Sequence, residues 1–273
     1  VALPMFTSCS PGWIKFAEYY HPDFLENLST CKSPQQMFGA VAKTYYASKI
    51  GVRPEDMVVV SIMPCTAKKF ECQRPEMNDS GVFDVDFALT TRELGKMIQE
   101  AGIDFNSLPD GKMDSILGMS SGAADIFANT GGVMEAALRT AYEIVTGREL
   151  PLENLHVKPL AGLEGIKLAA LRIEDTLPAW EFLDGVELKV AVAHGLGNAN
   201  RLIHAIKDGR QEVHFVEIMT CPGGCIGGGG QPRFTNDEVR QKRIQAIYAE
   251  DEGKQLRKSH ENVEIQKDRK SVV

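Results

Sequence analysis

MVVVSIMPC, from Met57 to Cys65, is a short, nearly continuous apolar run rich in β-branched residues that stops at a proline and delivers a cysteine. A run of this length and composition is the pattern of a strand buried on both faces. Cys65 then lies just beyond the carboxyl end of that strand. The same design returns in VHFVEIMTC, where the run Val213 to Met219 leads through Thr220 to Cys221. Lys167 to Ile173 and Leu188 to Ala193 are two further runs of this kind.

Between the runs lie helices with readable ends. Ser33 is placed to cap a helix that starts at Pro34 and ends before Gly51, and Thr90 with Glu93 spells a capping box before a helix that stops at Gly102. From Gly131 to Thr146 the residues Val133, Met134, Ala137, Leu138, Ala141 and Val145 share one face, with Gly147 as the stop. Strands alternating with helices predict an α/β fold of parallel sheets flanked by helices. In open sheets of this kind ligands sit beyond the carboxyl ends of the strands. After Thr235 the chain is charged and helical in pattern, most clearly from Arg240 to Ile247, and reads as surface decoration.

Composition narrows the possible functions. The chain has 273 residues, 43% of them hydrophobic and 25% charged, enough for one large domain or two lobes. A net charge of −7 argues against a nucleic-acid partner, because phosphate binding needs a clustered Lys/Arg surface. No apolar run approaches the roughly 20 residues of a membrane span. The opening Val1-Ala2-Leu3-Pro4 has no initiator methionine and leads straight into a motif, so a missing N-terminal segment is expected. Residues 265–273 read as a disordered tail, and 268–273 as non-native sequence.

The six cysteines are Cys9, Cys31, Cys65, Cys72, Cys221 and Cys225. In a chain this large, metal ligation or reactive thiols are a better default than a disulfide framework. EIMTCPGGCIGGGGQP, Glu217 to Pro232, sets two thiols four apart among glycines that let the backbone wrap closely around a bulky group. Thiolates select zinc, copper(I) or iron-sulfur clusters, and zinc or an inert glycine-rich loop stays open at this point. MPCTAKKFE, Met63 to Glu71, follows a cysteine with Lys68, whose ammonium suits an anionic guest. FTSCSPGW, Phe6 to Trp13, puts Cys9 before a turn, where its plainest reading is a half-buried structural thiol. His194 in AHGLGNA follows a strand, but the loop lacks the third glycine of a dinucleotide fingerprint and reads as structural.

In this order and spacing, the three cysteine segments resemble the signature stretches of FeFe hydrogenases, as does SGAADIFANTGGVMEAALRT, Ser121 to Thr140. The resemblance runs from Leu3 to about Glu264, so that residues 1–264 look like a partial catalytic domain. It implies two lobes of parallel sheet flanked by helices, with a metal cluster in the cleft between them and one lobe truncated at its N-terminus. The implied function is reversible conversion of H2 to protons and electrons at an H-cluster, a 4Fe-4S cluster joined to a di-iron unit carrying CO, cyanide and a dithiolate. Carried over by position, Cys65, Cys221 and Cys225 are metal ligands and Lys68 holds a cyanide. Met63, Met219, Ser33, Gln35 and Phe127 line the di-iron pocket, Cys9 shuttles protons, and Ser29 lies further out on the proton path. Implied partners are ferredoxin or NAD(P)-linked electron-transfer subunits and hydrogenase maturation proteins. The cytoplasm is the expected location, with the periplasm left open.

The sequence departs from the family at Ser10, where the family has its fourth cluster cysteine. A serine oxygen is a harder and less acidic donor than a thiolate. On an extended segment Cys9 could not replace it, because neighbouring side chains point to opposite faces. Three readings stay open: Ser10 as an alkoxide ligand, a cluster with three protein ligands and an open iron, or a sequence error or engineered change at Ser10. Cys31 and Cys72 match no ligand position and read as core or near-surface thiols. A competing reading is a non-catalytic iron-sulfur protein of the same family, an assembly factor or a sensor, which would need neither Lys68 nor Cys9 in these roles.

Overall fold

The computed structural model describes residues 2–114, 116–117, 119–150 and 164–271. Strand β1 (Met5–Thr7) leads into helix α1 (Pro11–Tyr20), followed by α2 (Pro34–Val41) and α3 (Ala47–Ile50). Next come β2 (Val60–Met63), α4 (Lys68–Glu71), β3 (Phe87–Thr90), α5 (Thr91–Glu100), α6 (Gly122–Ile126) and α7 (Gly132–Thr146). The chain continues through β4 (Ile166–Arg172), β5 (Glu187–His194), α8 (Leu196–Lys207), β6 (Phe215–Met219), α9 (Asp237–Gly253) and α10 (Val263–Ser271).

These elements build two sheets, one with strand order β1-β6-β5-β4 and one that pairs β2 with β3. Strands β1, β6 and β5 run parallel, and so do β2 and β3. The fold is α/β with parallel sheet and flanking helices, as expected, except that β4 is antiparallel to β5. Its connection explains the departure: Ile173 exchanges backbone hydrogen bonds with Gly185 and Val186, so the chain turns straight back beside β4. A parallel neighbour would require a long crossover.

Alternation along β5 and β6 serves two layers. On one face Phe6, Ala191, Ala193, Val216 and Ile218 pack with Trp13 of α1 and with Leu202 and Ile203 of α8. On the other, Val190 and Val192 meet Met134, Leu138 and Tyr142 of α7. Strand β2 differs from the expectation of two buried faces, since Val60, Ile62 and Phe87 of β3 stay exposed. It also starts later than Met57, because the Val59 N–H is taken by the Asp86 carboxylate at 2.7 Å instead of a neighbouring strand.

The predicted helix ends hold. Ser33 caps α2, Thr90 and Glu93 form a complete capping box on α5, and Gly147 ends α7 in the left-handed region at φ 69°. The helix from Pro34 to Gly51 is not continuous, however: a π-helical turn at Ala42–Tyr46 separates α2 from α3. That turn carries the fully buried Lys43, whose ammonium donates to Phe83 O at 2.7 Å and to Asp86 at 2.9 Å. Extra residues in a helical turn of this kind mark places where packing overrides regular helix.

The C-terminal region differs most from its reading as decoration and tail. Ile244, Tyr248 and Asp251 of α9 are buried, and α9 packs on α6. Residues 265–271, expected to be disordered, belong to α10, whose first turn is ordered by Asn262 Oδ1 accepting from the Glu264 N–H at 3.0 Å. Glu264 in turn accepts from the Met119 N–H at 3.1 Å. Val1, Val272 and Val273, at the ends of the expected truncation and tail, lie outside the described residues.

Candidate metal centre

The carboxyl ends of β1, β2 and β6 deliver the three cysteine segments. After β6 the chain turns sharply, with Gly223 at φ 78° and Gly224 at φ 90°. A β-carbon on Gly224 would lie 2.7 Å from Thr130 N, so only glycine fits this approach. Backbone bonds from Thr130 N to Gly223 O (3.0 Å) and from Ile226 N to Ala128 O (3.2 Å) hold the loop against the segment between α6 and α7. The glycine run then reaches the other sheet. Gly230 N donates to Pro64 O at 2.9 Å, and a β-carbon on Gly228 would lie 2.0 Å from that oxygen. This backbone contact brings the Cys65 segment against the Cys221–Cys225 loop.

Cys9 and Ser10 join from β1. The expectation that their side chains point to opposite faces is not met, since Cys9 Sγ and Ser10 Oγ both lie 3.8 Å from Met219 Sδ. Strand β1 ends at Thr7 and Ser10 is already the N-cap of α1, so strand alternation does not extend to this pair. Ser10 Oγ accepts from the Thr220 N–H at 3.3 Å, next to Cys221.

The thiols sense one another. A hydrogen bond from Cys225 brings the Cys9 thiol down to about 7, against burial that raises it and with help from the Lys68 ammonium. The same bond, then burial and the charges of Cys9 and Cys65, push Cys225 well above the usual thiol range. Burial, and then the Cys65 charge, raise Cys221, while the Gly229 N–H and Arg240 pull it down. Among the described residues no three of these sulfurs lie within 4.8 Å of one another. A zinc ion with Zn–S near 2.3 Å would draw its sulfurs to within about 4 Å. No such single-ion trio of sulfurs is preformed among the described residues, and thiol donors of this kind suit an iron-sulfur group. Buried side-chain groups of Asn129, Thr130 and Thr220 without hydrogen-bond partners border the same loop, as expected where a polar guest belongs.

On the β2 side, Ser33, Gln35 and Lys68 come together at a residue that the sequence did not single out. The Glu71 carboxylate accepts from Lys68 Nζ at 2.8 and 3.0 Å, from Ser33 Oγ at 2.8 Å and from Gln35 Nε2 at 3.1 Å. The available signal was the i, i+3 spacing of Lys68 and Glu71. Met219 is buried, while Met63 and Phe127 are half-buried, Phe127 beside Ile126 and Ile226. Ser29 accepts from the Cys31 N–H at 3.3 Å and donates its own N–H to Phe6 O at 2.7 Å. No hydrogen bond joins it to Cys9 among the described residues. Cys72 is a core thiol and Cys31 is exposed.

Two further residues brace the loop. His194 Nδ1 accepts from the Gly223 N–H at 3.2 Å, so its loop is structural in the sense that it positions the cysteine turn. Glu217, fully buried, accepts from the N–H groups of Gly131 and Met134 at 2.6 and 2.7 Å and so ties the start of α7 to β6. Burial pushes its carboxyl up to about 7 although those N–H groups favour the charge. Lys167 lies on the same face two strands away, and burial brings it down to about 8 against the pull of Glu164 and Glu217.

Comparison with known proteins gives the same picture over nearly the whole chain. Residues 1–229 match the family model "iron only hydrogenase large subunit, C-terminal domain", and residues 237–267 match "iron hydrogenase small subunit". The NADP-reducing hydrogenase subunit HndD of Solidesulfovibrio fructosivorans is 53% identical over 96% of the chain and 43% of its own length. The periplasmic Fe hydrogenase large subunit of Nitratidesulfovibrio vulgaris is 52% identical over 84% of the chain and 52% of its own length. An apo FeFe hydrogenase structure from Chlamydomonas reinhardtii superposes with a TM-score of 0.83 at 45% identity, covering 97% of this chain and 70% of that one. The chain spans about half the length of the curated relatives it matches.

Proposed function

The chain belongs to the iron-only hydrogenase large-subunit family, and from that membership we propose that it is the cluster-bearing part of an enzyme interconverting H2 with two protons and two electrons. The observation that carries this reading is the meeting of Cys65, Cys221 and Cys225 with both Cys9 and Lys68, where a purely structural iron-sulfur site would need the thiols alone.

Cys65, Cys221 and Cys225 would hold a 4Fe-4S cluster joined to a di-iron unit, with Ser10 at the position of a fourth ligand. When bound, that group supplies the chemistry at the H–H bond, and the protein positions and insulates it. Lys68 offers a buried ammonium to an anionic ligand, exchanging part of its bonding to Glu71 for the guest. Cys9, whose thiol lies beside Met219 and next to Ser10, can take and release a proton at its sulfur. Met63, Met219 and Phe127 keep water from the site, and Ser29 is the proposed outer proton acceptor.

Electrons would pass to ferredoxin or to an NAD(P)-linked subunit, the latter in keeping with the name of the Solidesulfovibrio relative. Loading of the metal group would fall to maturation proteins. Among the described residues no helix is long and apolar enough to cross a membrane. The test is anaerobic co-expression with hydrogenase maturation proteins, followed by iron and sulfide analysis and hydrogen evolution from a reduced viologen. Iron, sulfide and hydrogen together support the enzyme. Iron and sulfide without hydrogen indicate the non-catalytic alternative, and zinc without iron overturns both.

A further inference from the structure

The match to the small-subunit model begins where α9 begins, at residue 237, yet two arginines of this helix reach the cysteine loop. Arg243 Nη1 donates to the Ile226 carbonyl at 2.6 Å, one residue beyond Cys225. Arg240, one turn earlier on the same helix face, has a buried Nε with no hydrogen-bond partner. That nitrogen lies 3.1 Å from where a β-carbon of Gly227 would stand, so the glycine leaves room for it. Its outer nitrogens go to Asp237 and to Thr235 O, and its charge acts on the Cys221 sulfur.

The helix is held firmly in this place. Asp251 is fully buried and accepts from Arg139 at 2.9 and 2.8 Å and from Arg257 at 2.6 Å. It fills space that only Gly122 leaves, since a β-carbon there would lie 1.9 Å from its carboxylate oxygen. Tyr248 OH donates to Glu135 of α7 at 2.9 Å. A guanidinium fixed in this way is a preset charge, not a mobile surface group.

We propose that Arg240 and Arg243 are positioning residues of the metal centre, through which the small-subunit-like helix tunes the cluster: Arg243 fixes the Cys225 side of the loop, and Arg240 sets positive charge beside Cys221. Adding an electron to a thiolate-bound cluster adds negative charge, so a nearby cation favours the reduced form and raises the reduction potential. This inference rests on the iron-sulfur reading above.

The test is a potentiometric titration, followed by electron paramagnetic resonance, of the full chain reconstituted anaerobically with iron and sulfide. Arg240→Gln is expected to lower the reduced-to-oxidised ratio about tenfold at fixed potential, a shift of about 59 mV to the negative side, and Arg240→Lys to restore most of it. Asp237→Asn, at an exposed position that pairs with Arg240, is expected to shift the potential the opposite way and does not depend on Arg240→Gln folding. Arg243→Leu is expected to lose iron to a chelator about tenfold faster. Cluster-loaded Arg240→Gln and Asp237→Asn proteins with wild-type potentials would overturn the tuning role, and wild-type iron loss in Arg243→Leu would overturn the bracing role. A wild-type chain that takes up no iron-sulfur cluster would overturn the underlying reading as well.

Discussion

Glu71 holds Lys68: the buried carboxylate accepts the buried ammonium at 2.8 and 3.0 Å and collects Ser33 and Gln35 on the same oxygen. Breaking one side of such a pair leaves an uncompensated charge away from water, which costs about 3–5 kcal/mol. Glu71→Gln is therefore expected to lose roughly that much stability in urea denaturation of the metal-free protein. Combining Lys68→Met with Glu71→Leu should cost less than the two single changes added together. Additive losses would show that the two side chains do not depend on each other.

The glycine run should be intolerant of even one methyl group. A β-carbon on Gly228 meets Pro64 O at 2.0 Å, so Gly228→Ala must push apart the two cysteine segments. Overpacking of this kind costs about 1–3 kcal/mol, and we expect iron retention to fall further than stability does. Gly229→Ala, whose β-carbon comes no closer than 3.4 Å to Thr66, is the matched control and should retain iron.

Glu217 supplies a pH dependence. Its folded carboxyl is raised by burial to about 7 from an ordinary value of 4.5, so folding favours the protonated form. Stability from this group is fully present below about 4.5 and is lost as pH rises through about 7, by roughly 3 kcal/mol at about 1.36 kcal/mol per pKa unit. Glu217→Gln should flatten that fall when denaturation midpoints are compared between pH 4.5 and 8. An unchanged slope would mean that Glu217 stays charged throughout.

Ser10→Cys should increase the iron retained after anaerobic gel filtration, because a thiolate replaces a harder oxygen donor at the fourth position. Equal iron in both proteins would remove residue 10 from the ligand set. Cys9→Ala, in contrast, is expected to keep the cluster and lose at least about a hundredfold in turnover, the usual scale for a lost acid–base group.

What was legible in the sequence was local. An apolar strand, a proline or threonine and then a cysteine is a pattern contained in nine residues, and it placed Cys65 and Cys221 at strand ends where the structure has them. Capping residues such as Ser33 and Thr90 act within one turn and were equally readable. The direction of β4 was not, because it depends on how the chain returns between Ile173 and Val186. Glu217 looked like one more residue of a motif, since the helix N-terminus it braces lies more than eighty positions earlier in the chain. Arg240 and Arg243 were hidden for another reason: a charged helix has the same composition whether its arginines face water or reach a buried loop. Cys9 and Ser10 misled through a rule applied beyond its range, because alternation holds within a strand and β1 had already ended.

On the proposed function, Cys65, Cys221, Cys225, Lys68 and Cys9 would surround an iron-sulfur cluster joined to a di-iron unit with CO and cyanide ligands. Infrared spectroscopy of protein matured anaerobically tests it most directly, because those ligands absorb in a window that the polypeptide leaves clear. CO and cyanide bands are expected, shifting when Lys68 is replaced by Met. Iron-loaded protein without any such band would contradict it.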